Sequence, residues 1–294
     1  MKEKQHTLIV LLLALMLAAA LLCGCHAKPE DIPEDPSDLP PAPKGDLNTE
    51  NTAGSYSDIT GDKEVPASLS PQSDTSSSFT ACSIETAQLG TFRYWLYTPS
   101  DPTEDMPLIV YLHGGSGKGA NLNLITAVDG FPQYLQSGQI GDVRAYVLIP
   151  QLPSTQRGWI SAAEAISELI EQTVSVYSID KGNISLTGHS MGGTGTWDLA
   201  CTYPSLFARI APLSGSVRNT PSTIDALKNI PVRAFVGAAD TIVPPESSQE
   251  VVTALQAAGG SAEITVFDGA DHFSVPGLTF LDTSIDLVGW LIGG

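Results

Sequence analysis

Residues 179–214 read IDKGNISLTGHSMGGTGTWDLACTYPSLFARIAPLS, and this stretch decides the fold. Asn183 to Thr187 has the composition of a strand, and Gly188-His189-Ser190-Met191-Gly192 forms a G-x-S-x-G turn that Gly193 follows at once. From about Gly192 to Thr202 the pattern is helical, and Ile210 to Leu213 forms the next strand. A strand-to-helix turn this sharp has no room for side chains at its flanking positions, hence the glycines. Its strain lifts the Ser190 hydroxyl above the sheet edge, and the helix N-terminus beneath favours developing negative charge. In a chain with 27 glycines the bare motif would be weak. Set between a strand and a helix it is specific.

Outward from this turn, strands alternate with helices. Phe92 to Tyr97 is an early strand, Leu108 to Leu112 a continuous apolar run ending in His113-Gly114-Gly115, and Ala145 to Pro150 another such run. Runs of that kind mark strands buried on both faces, as in parallel sheets. Ser161 to Tyr177 has helical spacing, Thr223 to Asn229 is a short segment, and Val232 to Val236 is a strand. A helix from Ser247 to Ala258, a strand from Ala262 to Phe267 and a terminal helix near Thr283 to Ile292 follow. The expected class is α/β, with a mostly parallel central sheet flanked by helices. The connection between the Ile210 and Val232 strands is too short for a sizeable lid, so an open site is expected.

A serine hydroxyl needs a neighbouring base. Of the five histidines, His6 and His26 fall in the N-terminal region, His113 precedes a Gly-Gly turn and His189 sits inside the elbow. His272, in the loop after Phe267, is left as the base. The acid that orients it should follow a strand end between Ser190 and His272. Asp240, after Gly237-Ala238-Ala239, fits best, with Asp268 and Asp271 as competitors. The oxyanion needs backbone N–H donors. Met191, directly after the nucleophile, offers one, and Gly115 or Ser116 the other.

At these residues the sequence closely resembles the carboxylesterase/phospholipase-like "predicted peptidase" branch of the α/β-hydrolases, near feruloyl esterases, polyhydroxyalkanoate depolymerases and dienelactone hydrolases. Residues 179–214, Gly237 to Pro244 and Gly269-Ala270-Asp271-His272 carry the likeness. The resemblance implies an α/β-hydrolase fold and an acyl-serine esterase mechanism without metal or cofactor. It also suggests Trp159 and His189 as substrate contacts, with ordinary packing as the other reading for Trp159. His189 stands where relatives often carry a small or apolar residue. Dienelactone-type chemistry is disfavoured because the nucleophile is a serine and not a cysteine.

The N-terminus reads as an address. Lys2 and Lys4 precede an uncharged apolar run, Leu8 to Leu22, of the length of a secretory h-region. Leu22-Cys23-Gly24-Cys25 resembles a bacterial lipobox, which makes Cys25 the candidate for lipidation and 1–25 a lipoprotein-type signal peptide. Residues 26–80, with three basic and eleven acidic residues among many Pro and Ser, read as a flexible tether. The catalytic domain is expected over 81–294. The expected location is extracytoplasmic, with membrane contact only through the lipidated terminus. A formal net charge of −18 argues against nucleic acid as a partner. No metal-ligand spacing is present in the sequence, an ester is the expected substrate, and a monomer the expected state. Cys82 and Cys201 are either a disulfide or two free thiols. A serine peptidase and a catalytically silent binding lipoprotein are the competing functions.

Overall fold

The computed structural model of the chain describes residues 77–128 and 130–294. The signal segment, Cys25 and nearly all of the tether expected from the sequence lie outside the described residues. Eight strands build one sheet: β1 Ser78–Thr86, β2 Gly90–Thr98, β3 Met106–Leu112, β4 Tyr146–Pro150, β5 Ile179–His189, β6 Arg209–Leu213, β7 Val232–Gly237 and β8 Ala262–Phe267. Their spatial order is β1-β2-β4-β3-β5-β6-β7-β8. β1 and β2 are antiparallel to each other, β2 is antiparallel to β4, and the remaining pairs are parallel. The helices are α1 Asn123–Val128, α2 Gly130–Gln136, α3 Ala163–Val176, α4 Met191–Thr202, α5 Pro221–Leu227, α6 Glu246–Ala257, α7 Val275–Phe280 and α8 Leu287–Leu291.

The continuous apolar runs are explained by alternation. Along β3, Leu108, Val110 and Leu112 enter one core together with Ile166, Leu169, Leu199 and Val252 from α3, α4 and α6. Ile109 and Tyr111 enter the other, with Phe131, Val275, Phe280 and Leu291 from α2, α7 and α8. Successive side chains of a strand point to opposite faces, so a sheet covered on both sides requires apolar residues at every position. Between β6 and β7 the chain holds only α5, and no lid stands there.

Five elements depart from the sequence reading. β1 was not expected, and it begins at Ser78, three residues ahead of the expected domain start at Ala81. It is an edge strand in which only Cys82 and Thr86 are buried, so it lacks the apolar signature of its neighbours. α1, α2 and α7, each of six or seven residues, were not expected either. Two turns are too short to establish a 3.6-residue period. The terminal helix is confined to Leu287–Leu291, where Asp286 caps it by accepting from the Gly289 N–H. Cys82 and Cys201 are free thiols, so the disulfide alternative is dropped.

Candidate active site

Ser190 lies between β5 and α4 in a conformation of φ 59° and ψ −118°, rare for a residue with a side chain. Strain of that kind costs on the order of 1–3 kcal/mol and persists only where the surroundings enforce it. Here the Ser190 N–H donates to the Leu213 carbonyl of β6 at 2.9 Å, and its own carbonyl accepts from Thr194 N–H at 2.9 Å. A Cβ on Gly192 would stand 1.8 Å from the Leu112 carbonyl oxygen, and one on Gly193 would stand 2.2 Å from that of Leu213. The elbow is thus wedged between the ends of β3 and β6, and glycine is required by contact. Gly192→Ala is expected to cost about 3 kcal/mol or more of stability, read as a lower urea midpoint. Gly115→Ala, where a Cβ meets open space, should leave that midpoint unchanged.

The histidine loop is stitched to the turn after β7. Ala238 N–H donates to Phe267 O at 3.0 Å and Ala239 N–H to Ala270 O at 2.9 Å. Across this seam His272 Nδ1 lies 2.6 Å from Asp240 Oδ2, with both side chains buried. Asp240 Oδ1 accepts the amides of Ile242 and Val243 at 2.9 and 2.8 Å. Burial by itself would raise the Asp240 carboxyl, but the Val243 amide, the His272 ring and the Ile242 amide outweigh it and hold the group below its ordinary value. Asp240 is therefore a carboxylate and Nδ1 of His272 is the donor, which in the neutral ring puts the lone pair on Nε2. The competing acids are placed otherwise. Asp271 is exposed and accepts from the Ser274 backbone N–H and hydroxyl, and Asp268 is exposed.

The two segments expected to supply oxyanion donors converge on the elbow. Met191 opens α4, and Gly115 opens a single 3-10 turn, Gly115–Gly117, at the end of β3. Amides in a helix's first turn have no partner within the helix, which leaves those of Met191, Gly115 and Ser116 available. Beneath this loop lies a scaffold that sequence reasoning missed. His113 Nδ1 donates to Gly114 O at 2.6 Å, and its Nε2 accepts the Leu152 N–H at 3.0 Å. Gln151 Nε2 donates to the Gly117 and Asn121 carbonyls at 2.9 and 2.7 Å. Trp159 Nε1 donates to His113 O at 3.0 Å, and its ring packs against Gly195. Trp159 is 1% exposed and bonded to His113, so it braces the loop after β3 and packing is the reading that applies. His189, also buried, has its Nε2 2.9 Å from the His272 carbonyl oxygen. That ring is buried against the histidine loop, and packing is the role the structure shows for it. Of this scaffold the sequence reading names Trp159 and the His113-Gly114-Gly115 run, and not the contacts that join them.

Burial pushes both His113 and His189 down to about 4, from an ordinary 6.5. The unfolded chain takes up protons at these sites once the pH falls below about 6.5, whereas the folded chain resists until about 4. Stability should therefore fall as pH drops through that window, by up to about 1.4 kcal/mol per pH unit for each histidine. Urea midpoints at pH 7, 5.5 and 4.5 measure it. A flat profile would show that these rings are not buried in neutral form.

Among the described residues no group of three or more His, Cys, Asp or Glu side chains is placed to hold a metal ion. The Dienelactone hydrolase family model matches residues 154–277, under half of the chain but a span that includes Ser190, Asp240 and His272. A Salmonella typhimurium protein assigned as a carboxymethylenebutenolidase is 30% identical over 141 residues, 45% of this chain and 52% of that protein. The Poly(3-hydroxyalkanoate) depolymerase C of Paucimonas lemoignei is 30% identical over 129 residues, 37% of this chain and 31% of that protein. The chain spans about half the length, or less, of the curated relatives it matches. Among solved structures, a thermostable esterase superposes with a TM-score of 0.62 at 27% identity, over 72% of this chain and 62% of that one. The feruloyl esterase module from Clostridium thermocellum superposes with a TM-score of 0.51 at 20% identity, over 72% and 87% of the two chains, which speaks for the fold alone. The fold is that of the α/β-hydrolases.

Proposed function

We propose that this protein is an extracytoplasmic serine esterase that hydrolyses carboxylic esters through an acyl-serine intermediate. The observation that carries the reading is the buried 2.6 Å pair of His272 Nδ1 and Asp240 Oδ2, on a loop tied to the strained Ser190 elbow. Nε2 of His272 takes the proton of the Ser190 hydroxyl as the oxygen attacks the ester carbonyl. The oxyanion is received by the Met191 and Gly115 amides. The protonated ring then passes its proton to the leaving alcohol, and the acyl-serine forms. Water, deprotonated by the same nitrogen, attacks the acyl-serine and releases the acid, and the ring returns the proton to Ser190.

Several features support an acylated carbohydrate or polyester as substrate. The connection from β6 to β7 holds only α5, so no lid inserted there covers the strand ends. Phe273, 74% exposed, follows His272 directly, and Ile242, 56% exposed, lies two residues from Asp240. Such apolar side chains beside the acid and the base suit an apolar acyl or leaving group. The depolymerase named above and a bifunctional acetylxylan esterase/xylanase of Neocallimastix patriciarum, 26% identical over 157 residues, agree with that class. The Leu8–Leu22 run and the Cys25 lipobox support export and lipid anchoring. Cys25→Ser should then move the full chain from the membrane to the soluble fraction.

The test is covalent labelling of the full chain with a fluorophosphonate probe, beside turnover of p-nitrophenyl acetate through octanoate. Labelling and turnover, both absent from Ser190→Ala, are the expected outcome. A folded chain that the probe does not label would overturn the esterase reading in favour of a silent binding protein. Labelling without ester turnover would favour a peptidase.

A further inference from the structure

We propose that His189 is a positioning residue that holds the His272 base in register with the nucleophile. This rests on the reading of Ser190 and His272 as nucleophile and base. His189 is the last residue of β5, paired in register with Leu213 of β6, so its backbone is fixed by the sheet. Its ring is buried and lies 4.7 Å from the His272 ring, centroid to centroid. The acceptor of its 2.9 Å hydrogen bond is the His272 carbonyl oxygen, which can only accept. The proton therefore sits on Nε2 of His189.

The topology of this bond gives it its role. The side chain immediately before the nucleophile grips the backbone of the residue that carries the base. Other hydrogen bonds brace the histidine loop against the β7 turn, through Ala270, or against itself, through Asp271 and Ser274. Among the described residues, the His189 bond is the one that joins that loop to the elbow. Asp240 thus decides which way the His272 ring faces, and His189 decides where the ring stands. Burial keeps His189 neutral, at about 4, so no second positive charge opposes the protonation of His272 during turnover. A small or apolar residue here would leave the loop without this tie, and a lysine would add the unwanted charge.

The experiment compares the full-length wild type with His189→Leu, His189→Gln and Ser190→Ala on p-nitrophenyl butyrate. Leu fills comparable space without a donor, and Gln restores a donor near the position of Nε2. For His189→Leu, kcat should fall on the order of 10²-fold while KM changes by less than about threefold, as expected of a misplaced catalytic group. His189→Gln should recover most of that loss. Equal impairment of Leu and Gln, an effect confined to KM, or an unimpaired Leu variant would each overturn the proposal. If the wild type is no faster than Ser190→Ala, the nucleophile reading fails first. If the wild type far exceeds Ser190→Ala and His189→Leu is unimpaired, only the positioning role fails. Should His189→Leu not fold, ¹⁵N spectra of the wild-type histidine rings decide. A neutral His189 with its proton on Nε2 is expected, and a proton on Nδ1 overturns the proposal.

Discussion

Ser190→Ala is expected to lower kcat for p-nitrophenyl butyrate on the order of 10⁶-fold, with the urea midpoint unchanged. The size follows from the proposed covalent route, in which removing the hydroxyl abolishes the acyl-serine and with it both halves of the reaction. The unchanged stability follows from the backbone. The φ of 59° is imposed by the elbow and not by the hydroxyl, so alanine carries the same strain. Steady-state kinetics with active-site titration measures the first effect and equilibrium unfolding the second. A residual rate within a hundredfold of wild type would mean that another group performs the attack.

Asp240→Asn should cost about 10⁴-fold in kcat with little change in KM. The Asn carbonyl oxygen can still accept the Ile242 and Val243 amides, which places its NH₂ group toward His272 Nδ1. A donor there forces the imidazole into the opposite tautomer. Nε2 then carries a hydrogen and cannot accept the Ser190 proton. Asp271→Asn and Asp268→Asn serve as controls, because one carboxylate caps Ser274 and both are exposed. Either control losing more than about tenfold would reopen the assignment of the acid.

The parts of this site that were legible in the sequence are those written in local covalent terms. The glycines around Ser190 answer to contacts with Leu112 and Leu213, but the requirement for a missing Cβ shows up as a five-residue motif. The Leu108–Leu112 run reveals a doubly covered strand because burial on both faces suppresses polar residues at every position. Elimination among five histidines and the order of elements brought His272 and Asp240 forward, and the structure pairs them. The oxyanion-loop scaffold was illegible for the converse reason. His113 meets Leu152 and Trp159, and Gln151 meets Gly117, across 34 to 46 residues of chain, with no fixed spacing to betray them. His189 and Trp159 were singled out as side chains near the site. That both are buried braces depends on tertiary packing, which no local pattern encodes. β1 escaped notice because an edge strand needs apolar residues on one face only, and here it has few.

The wedging of the elbow between β3 and β6 also bears on how the chain folds. Ser190 is presented only when three strands distant in sequence have come together, since its own N–H reaches into β6 and Gly192 lies against the end of β3. Reactivity is therefore a cooperative property of the assembled sheet, and a partly organised intermediate should be chemically silent. During refolding, covalent labelling should appear with the slow formation of these long-range pairings and not with early helix formation. On the proposed mechanism, Ser190 is thus a built-in reporter of the native fraction.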